Sequence, residues 1–299
     1  MQKTVLNALT SLSHLQDFQL ILSWQSEFQL QQLDRLSGLK KISIDSSTNL
    51  NNSMIGGIQE VIAKSPELAH LEFITTIYRK SKTATLHDLL SKVPQGSPLR
   101  LTHLVLRGPG ISACIDSHTI PHLRSLAYLN LDYLSPDTST IPEIYARLNR
   151  EKIHLKQVVL NSVNDAILDY LGSYSGLETL DLFKLPLSFN SEKEPEALSQ
   201  RFYKSVLPKH VNSIQALNIQ PRYEGGWCYD VDDVSVVLAQ CKKLKSLSVA
   251  LTSTATVTDN SLEPPYCTKS YFPKYHYRDN FDNMVCFDDH FTVLSSPIS

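Results

Sequence analysis

The chain reads as an α/β protein: a stack of short parallel strands forming one curved sheet, with helices lining the opposite side. Three observations predict this. A three-position apolar pattern recurs along most of the chain, each copy closes with the two-residue alternation of a strand, and the intervals between copies carry helical periodicity with caps and stops.

The copies follow in order. They are Leu39, Ile42, Ile44; Leu68, Leu71, Phe73; Leu101, Leu104, Leu106; Leu126, Leu129, Leu131; Leu155, Val158, Leu160; Leu177, Leu180, Leu182; Ile214, Leu217, Ile219; and Leu244, Leu247, Val249. A weaker copy sits at Leu15, Phe18 and Leu20. Successive first positions lie 29, 33, 25, 29, 22, 37 and 30 residues apart. The pattern is the L-x-x-L-x-L core of leucine-rich repeats, whose usual period is about 20–29 residues, and the longer intervals leave room for a helix in each unit. The last two apolar residues of a copy point to one side of a strand, and the first tucks under the same side from the preceding turn. One unit cannot bury that side alone, but stacked neighbours form a continuous core. Strand followed by helix, repeated, predicts a right-handed solenoid with the sheet on its concave side and the helices on its convex side.

The intervals justify the helices. "NNSMIGGIQEVIAKSP" has a cap at Asn52 or Ser53, apolar Ile55, Ile58, Val61 and Ile62, and a stop before Pro66. "TATLHDLLSKVP" puts Leu86, Leu89, Leu90 and Val93 on one face, and "IPEIYARLNR" carries Pro142 early, then Ile144, Tyr145 and Leu148. "NSVNDAILDYLGSYSG" offers Ala166, Ile167, Tyr170 and Leu171 with Gly172 as its stop, and "EPEALSQRFYKSVLP" and "DVDDVSVVLAQC" complete the set. The commonest repeats of this type place Asn or Cys soon after the strand. None of the corresponding residues here is either, which predicts no such ladder and an uneven curvature. The repeat part spans residues 1–251. Residues 252–299 are aromatic and acidic without the pattern, and are expected to form an irregular C-terminal cap or a partly disordered tail.

Composition narrows the function. At 299 residues and 42% hydrophobic, the chain can bury a sizeable core. A net charge of −2 argues against a nucleic-acid or anionic-membrane footprint, and the short "CKKLKS" run at Cys241–Ser246 reads as a solvated face. Five scattered cysteines fit a reducing compartment, so cytoplasm or nucleus is expected. No apolar run reaches the roughly 18–20 residues of a membrane span, and "MQKTVLNALTSL" lacks the pattern of a signal peptide.

No catalytic, cofactor or metal set is expected from the residues. The ten histidines are dispersed, with His70 and His103 at matching positions of two strands and so neighbours on the concave face. Cys267, His276, Cys286 and His290 fall short of the paired spacing of structural zinc. "YEGGWCYD" reads as a turn whose Trp227 packs on the following helix, or else as a partner-contacting rim loop. In "LRGPG", Gly108 and Gly110 mark a turn leaving a strand. The outward strand positions supply the candidate partner contacts: Glu72, His103, Arg107, Tyr128, Asn130, Asp132, Asp181 and Phe183, with Trp227 on the rim. Aromatic and arginine anchors among polar groups suit the recognition of a protein.

The irregular repeats with long helices, and "RFYKSVLPKHVNSIQALNIQPRYEGGWCYD" followed by "VLAQCKKLKSLSVAL", resemble the leucine-rich-repeat part of fungal F-box proteins, over about Leu15 to Leu251. That resemblance implies a non-enzymatic scaffold, the substrate-recognition part of a ubiquitin ligase adaptor, with the protein substrate on the concave face. An F-box in that family docks on the Skp adaptor and cullin. The opening "MQKTVLNALTSLSHLQDFQL" is already repeat-like and leaves no room for one, so these partners are expected only for a longer form. The rival readings are a stand-alone interaction or inhibitor protein and, more remotely, an enzyme or metal site in the tail around Asp288, Asp289 and His290.

Overall fold

The structure is a computed structural model that describes residues 12, 14–22, 33, 35–47, 51–76, 84–108, 110–131, 140–185, 193–221, 225–228 and 233–250. Its strands are β1 (Asp17–Leu22), β2 (Lys41–Ser46), β3 (His70–Thr75), β4 (Ala84–Thr85), β5 (His103–Arg107), β6 (Ile111–Ser112), β7 (Tyr128–Asn130), β8 (Gln157–Leu160), β9 (Thr179–Leu185), β10 (Ala216–Pro221) and β11 (Ser246–Val249). Nine of them form one sheet in the order β1-β2-β3-β5-β7-β8-β9-β10-β11, with β1 and β11 at its edges. Every adjacent pair is parallel. The fold is therefore mixed α/β around a large parallel sheet. The weak N-terminal copy is a full member of it, as β1.

One backbone arrangement recurs at each strand start. The Gln16 carbonyl accepts from the N–H groups of Lys40 and Lys41, the Lys40 carbonyl from Ala69 and His70, and the Ala69 carbonyl from Thr102 and His103. The series continues with Thr102 to Ala127 and Tyr128, Ala127 to Lys156 and Gln157, and Lys156 to Glu178 and Thr179. It ends with Glu178 to Gln215 and Ala216, and Gln215 to Lys245 and Ser246. Intervals of 22 to 37 residues all return the chain to this same register.

The apolar triplets explain why. From Leu39 to Ile219 every member of the first seven copies is buried, and together with the helices they form one continuous cluster. The eighth copy differs: Leu244 and Val249 are half-buried, and Leu247 on the edge strand is 42% exposed.

The helices are α1 (Asn52–Ala63), α2 (Leu86–Leu90), α3 (Ile120–Leu123), α4 (Thr140–Arg150), α5 (Asp165–Leu171), α6 (Lys193–Arg201) and α7 (Asp233–Ala239). The cap of α1 is Asn51, one residue before the expected position; its side chain accepts from the Met54 N–H. A reciprocal pair, Thr85 with Asp88, caps α2, and Asn164 caps α5, which ends at Gly172 as expected. The segment expected as one helix after Glu194 is composite. It passes from α6 into a π turn, Phe202–Val206, then a 3-10 turn, Leu207–His210, where Pro208 withholds the N–H an α-helix needs. The small β4–β6 sheet and α3 carry no periodicity long enough to be read from sequence.

Where an asparagine ladder is missing, other side chains cap the turns that lead into the strands. Each comes from the next unit. Ser65 Oγ accepts from the Leu39 N–H at 3.2 Å and donates to the Val61 carbonyl at 2.8 Å. Tyr170 OH accepts from Leu155 N–H at 3.0 Å and donates to the Ile153 carbonyl at 2.8 Å. His122 Nδ1 accepts from Leu99 N–H at 3.0 Å, and His210 Nδ1 from Leu177 N–H at 3.3 Å. The Nε2–H of His210 then donates to the Leu171 carbonyl at 2.9 Å, which fixes its neutral tautomer. Unlike these four, the buried hydroxyl of Tyr145 has no hydrogen-bond partner among the described residues.

The boundary at residue 251 and everything C-terminal to it lie outside the described residues, as do the suggested zinc set and Asp132. Among the described residues no helix is long and apolar enough to cross a membrane.

Two outcomes follow from the caps. Tyr170→Phe strands a buried N–H and a carbonyl, and is expected to cost about 1–3 kcal/mol in denaturant unfolding, whereas Tyr145→Phe, which removes an unpaired hydroxyl, should be neutral or stabilising by up to about 1 kcal/mol. Burial holds His122 and His210 below the ordinary histidine value of 6.5. The unfolded chain then takes up protons first, so the contribution of both imidazoles is complete above the unfolded value and is lost as pH falls towards the folded one. Urea midpoints should accordingly be higher at about pH 7.5 than at about pH 5.5, and His122→Gln, an acceptor that does not titrate, should narrow the gap.

Candidate functional site

The face of the sheet opposite the apolar triplets carries three rows of side chains set by the strand register. The first row runs Asp17, Lys41, His70, His103, Tyr128, Gln157, Thr179, Ala216, Ser246. The second runs Gln19, Ser43, Glu72, Val105, Asn130, Val159, Asp181, Asn218, Ser248. A third, at the strand ends, includes Ile21, Asp45, Ile74 and Arg107. Most of these side chains are half-buried, and Ile21 on the edge strand is 69% exposed.

The first row contains an aromatic stack. The rings of His70 and His103 lie 5.1 Å apart and within 15° of parallel, and Tyr128 follows His103 at 5.6 Å. The sequence expectation that the two histidines are neighbours holds. Thr102 Oγ1 donates its one proton to the Ala69 carbonyl at 3.1 Å, so at the 2.9 Å contact with His103 it must accept from Nδ1–H. The neutral His103 ring therefore keeps Nε2 as an acceptor. Burial, helped by Lys41 and by His103 itself, holds His70 below the usual histidine range. Asn130 donates to Tyr128 OH at 3.4 Å, and Ser43 Oγ donates to Glu72 at 2.9 Å.

Toward β11 the chemistry changes. Asp181 accepts a hydrogen bond from the Asn218 amide at 2.7 Å, and burial pushes its carboxyl above the usual range while that bond pulls it down.

Of the candidate contacts, Glu72, His103, Arg107, Tyr128 and Asp181 share this face, half-buried. Two are corrected. Trp227 is only 6% exposed and packs on Phe202 at 5.6 Å and Tyr203 at 6.3 Å, with Tyr203 OH donating to its carbonyl. It belongs to the core, where it packs on the two adjacent aromatics of the preceding π turn and shares a cluster with Val234 and Val237 of the following helix. Asn130 is buried, and it supports Tyr128 rather than meeting solvent. Asp132 and the Phe183 side chain lie outside the described residues.

The histidines are less dispersed than their numbering suggests. His87 lies 5.0 Å from His118, and His118 lies 5.8 Å from His122. His87 Nδ1 meets Asp116 Oδ2 at 2.5 Å, and His118 Nε2 meets the Leu90 carbonyl at 3.2 Å. The sequence signal is the spacing of His87 and Asp116, 29 residues, one repeat. His118 and His122 are held by main-chain groups and His87 by Asp116, an arrangement that ties neighbouring units together. Among the described residues, no group of three or more His, Cys, Asp or Glu is arranged to hold a metal ion.

The chain leaves β5 beside Arg107 through Gly108, whose φ is +91°. A Cβ there would lie 1.6 Å from the Thr75 carbonyl oxygen. Thr75 Oγ1 also accepts from the Gly110 N–H at 2.8 Å, so the glycines let the turn close onto β3.

Searches against protein-family models and curated proteins find no match.

Gly108→Ala is expected to lower thermal stability by about 2–4 kcal/mol, the sum of a left-handed backbone and a clash with β3.

Proposed function

We propose that this chain is a leucine-rich-repeat solenoid that binds another protein through the outward face of its sheet and performs no chemistry of its own. The observation that carries this reading is the register. Side chains from nine successive strands stand in aligned rows on a face not used by the core, fixed in place before any partner arrives. A pre-formed surface loses little ordering entropy on association. Its centre offers the His70–His103–Tyr128 stack flanked by Glu72 and Arg107, a mixture of aromatic and charged groups suited to protein contacts. The resemblance to fungal F-box proteins makes a ligase substrate the first class of partner to test, with the Skp adaptor and cullin joined through a longer form. A cytoplasmic or nuclear setting accords with Cys114 and Cys241, neither of which is in a disulfide among the described residues.

The test compares variants. The full chain, a double variant His103→Ala, Tyr128→Ala, and a control Arg150→Ala on α4 are used as baits in cells of origin, with quantitative mass spectrometry. A genuine partner should fall at least about tenfold with the double variant and stay level with the control. Equal recovery on all three baits would reject this face as the binding surface. Co-recovery of the Skp adaptor and cullin would place the activity in a ligase; their absence alongside a face-dependent partner would favour a stand-alone interaction protein.

A further inference from the structure

Within its first two rows, the part of the sheet face formed by β8 to β11 is almost free of charge, with the Lys156–Glu178 pair standing one residue before them at the strand starts. Its first two rows hold Gln157, Thr179, Ala216, Ser246, Val159, Asn218 and Ser248 around a single ionisable group, Asp181. The other half of the face differs, because Asp17, Asp45 and Glu72 there stand among Lys41, His70 and Arg107. Asp181 is half-buried, and neither a cation nor any salt bridge accompanies it among the described residues.

Asn218 holds this carboxylate at a cost to itself. With Asp181 ionised, the amide must turn its N–H₂ towards it, and Asn218 Nδ2 donates to Asp181 Oδ1 at 2.7 Å. That choice leaves Asn218 Oδ1 buried with no hydrogen-bond partner among the described residues. Buried polar atoms are nearly always satisfied, so an orphan spent on orienting one carboxylate singles that carboxylate out. The flanking side chains in its own row are Val159 on one side and the small Ser248 beyond Asn218, and Thr179 and Ala216 sit beside it in the next row. These neighbours bring no charge of their own to the carboxylate.

Resting on the protein-binding reading above, we infer that Asp181, positioned by Asn218, is the anchor for a basic side chain, lysine or arginine, on the polypeptide that docks across β8 to β11. A partly desolvated carboxylate with no counter-ion among the described residues gains most from a partner's cation, because the cost of stripping its water is already met in the free protein.

The test selects peptides from a random phage-displayed library on the full chain, then measures the winners against variants by fluorescence anisotropy. Peptides that lose binding to either His103→Ala, Tyr128→Ala or Thr179→Arg, Ala216→Arg are assigned to the face, and those lost with the second pair to β8 to β11. Those peptides are expected to carry a constant Lys or Arg, to bind Asp181→Asn about 10- to 100-fold more weakly, and to bind Asn218→Ala with a smaller loss. Changing the constant basic residue to norleucine should produce the same loss, and the two changes together no further one. Unfolding midpoints check that Asp181→Asn is folded, and an Asp181→Lys chain with a Glu-bearing peptide provides the charge-swapped rescue. Face-dependent peptides that bind Asp181→Asn normally would overturn the basic anchor and leave the scaffold reading standing. Selection of no face-dependent peptide would overturn both.

Discussion

The whole sheet rests on one shared acceptor at each strand start. A carbonyl of one unit takes the first two N–H groups of the next, and this is repeated from Gln16 to Gln215. An isolated unit would leave those donors unpaired and its apolar triplet in water, so no unit is stable without its neighbour. Burial and hydrogen bonding thus impose the same requirement at the same place. It explains why intervals of such different length converge on one register, since only the strand start is constrained and the return path is free to vary.

The side-chain caps show how that freedom is used. Serine, histidine and tyrosine all accept the N–H of a turn leading into a strand, at Ser65, His122, Tyr170 and His210. Geometry asks only for an acceptor delivered from the following unit. A serine on a helix end, an imidazole or a phenol can each supply it from a different depth. The price is that two of the four titrate, which makes acid a general weakener of the stack, with His70 on the outer face adding to the same trend.

Much of the fold was legible because the triplet pattern is a direct image of burial: the inward positions of seven copies are core residues in fact. The strand register followed, and with it the contact of His70 with His103. What escaped was set by contacts between units. The π turn at Phe202–Val206 depends on packing with Trp227, and the His87–Asp116 pair on the stacking of two helices' flanks, neither of which leaves a local periodicity. The same holds on the outer face. Asn130 and Asp181 both occupy outward positions, yet one is buried under a neighbouring tyrosine and the other is held by an amide 37 residues away. Alternation says which way a side chain points. It does not say what stands over it.

The strands are not equally broad, and β7, with only three residues, is the narrowest in the sheet. Its ladder joins the charged half of the face to the nearly neutral half. A ladder with fewer hydrogen bonds resists bending less, and both ladders of β7 have only three residue pairs. The His103–Tyr128 ring contact spans the other ladder of β7, one ring on each side of the β5–β7 boundary. Flexing there would slide one ring over the other, so bending of the sheet at β7 and the geometry of the central aromatic row are coupled by construction.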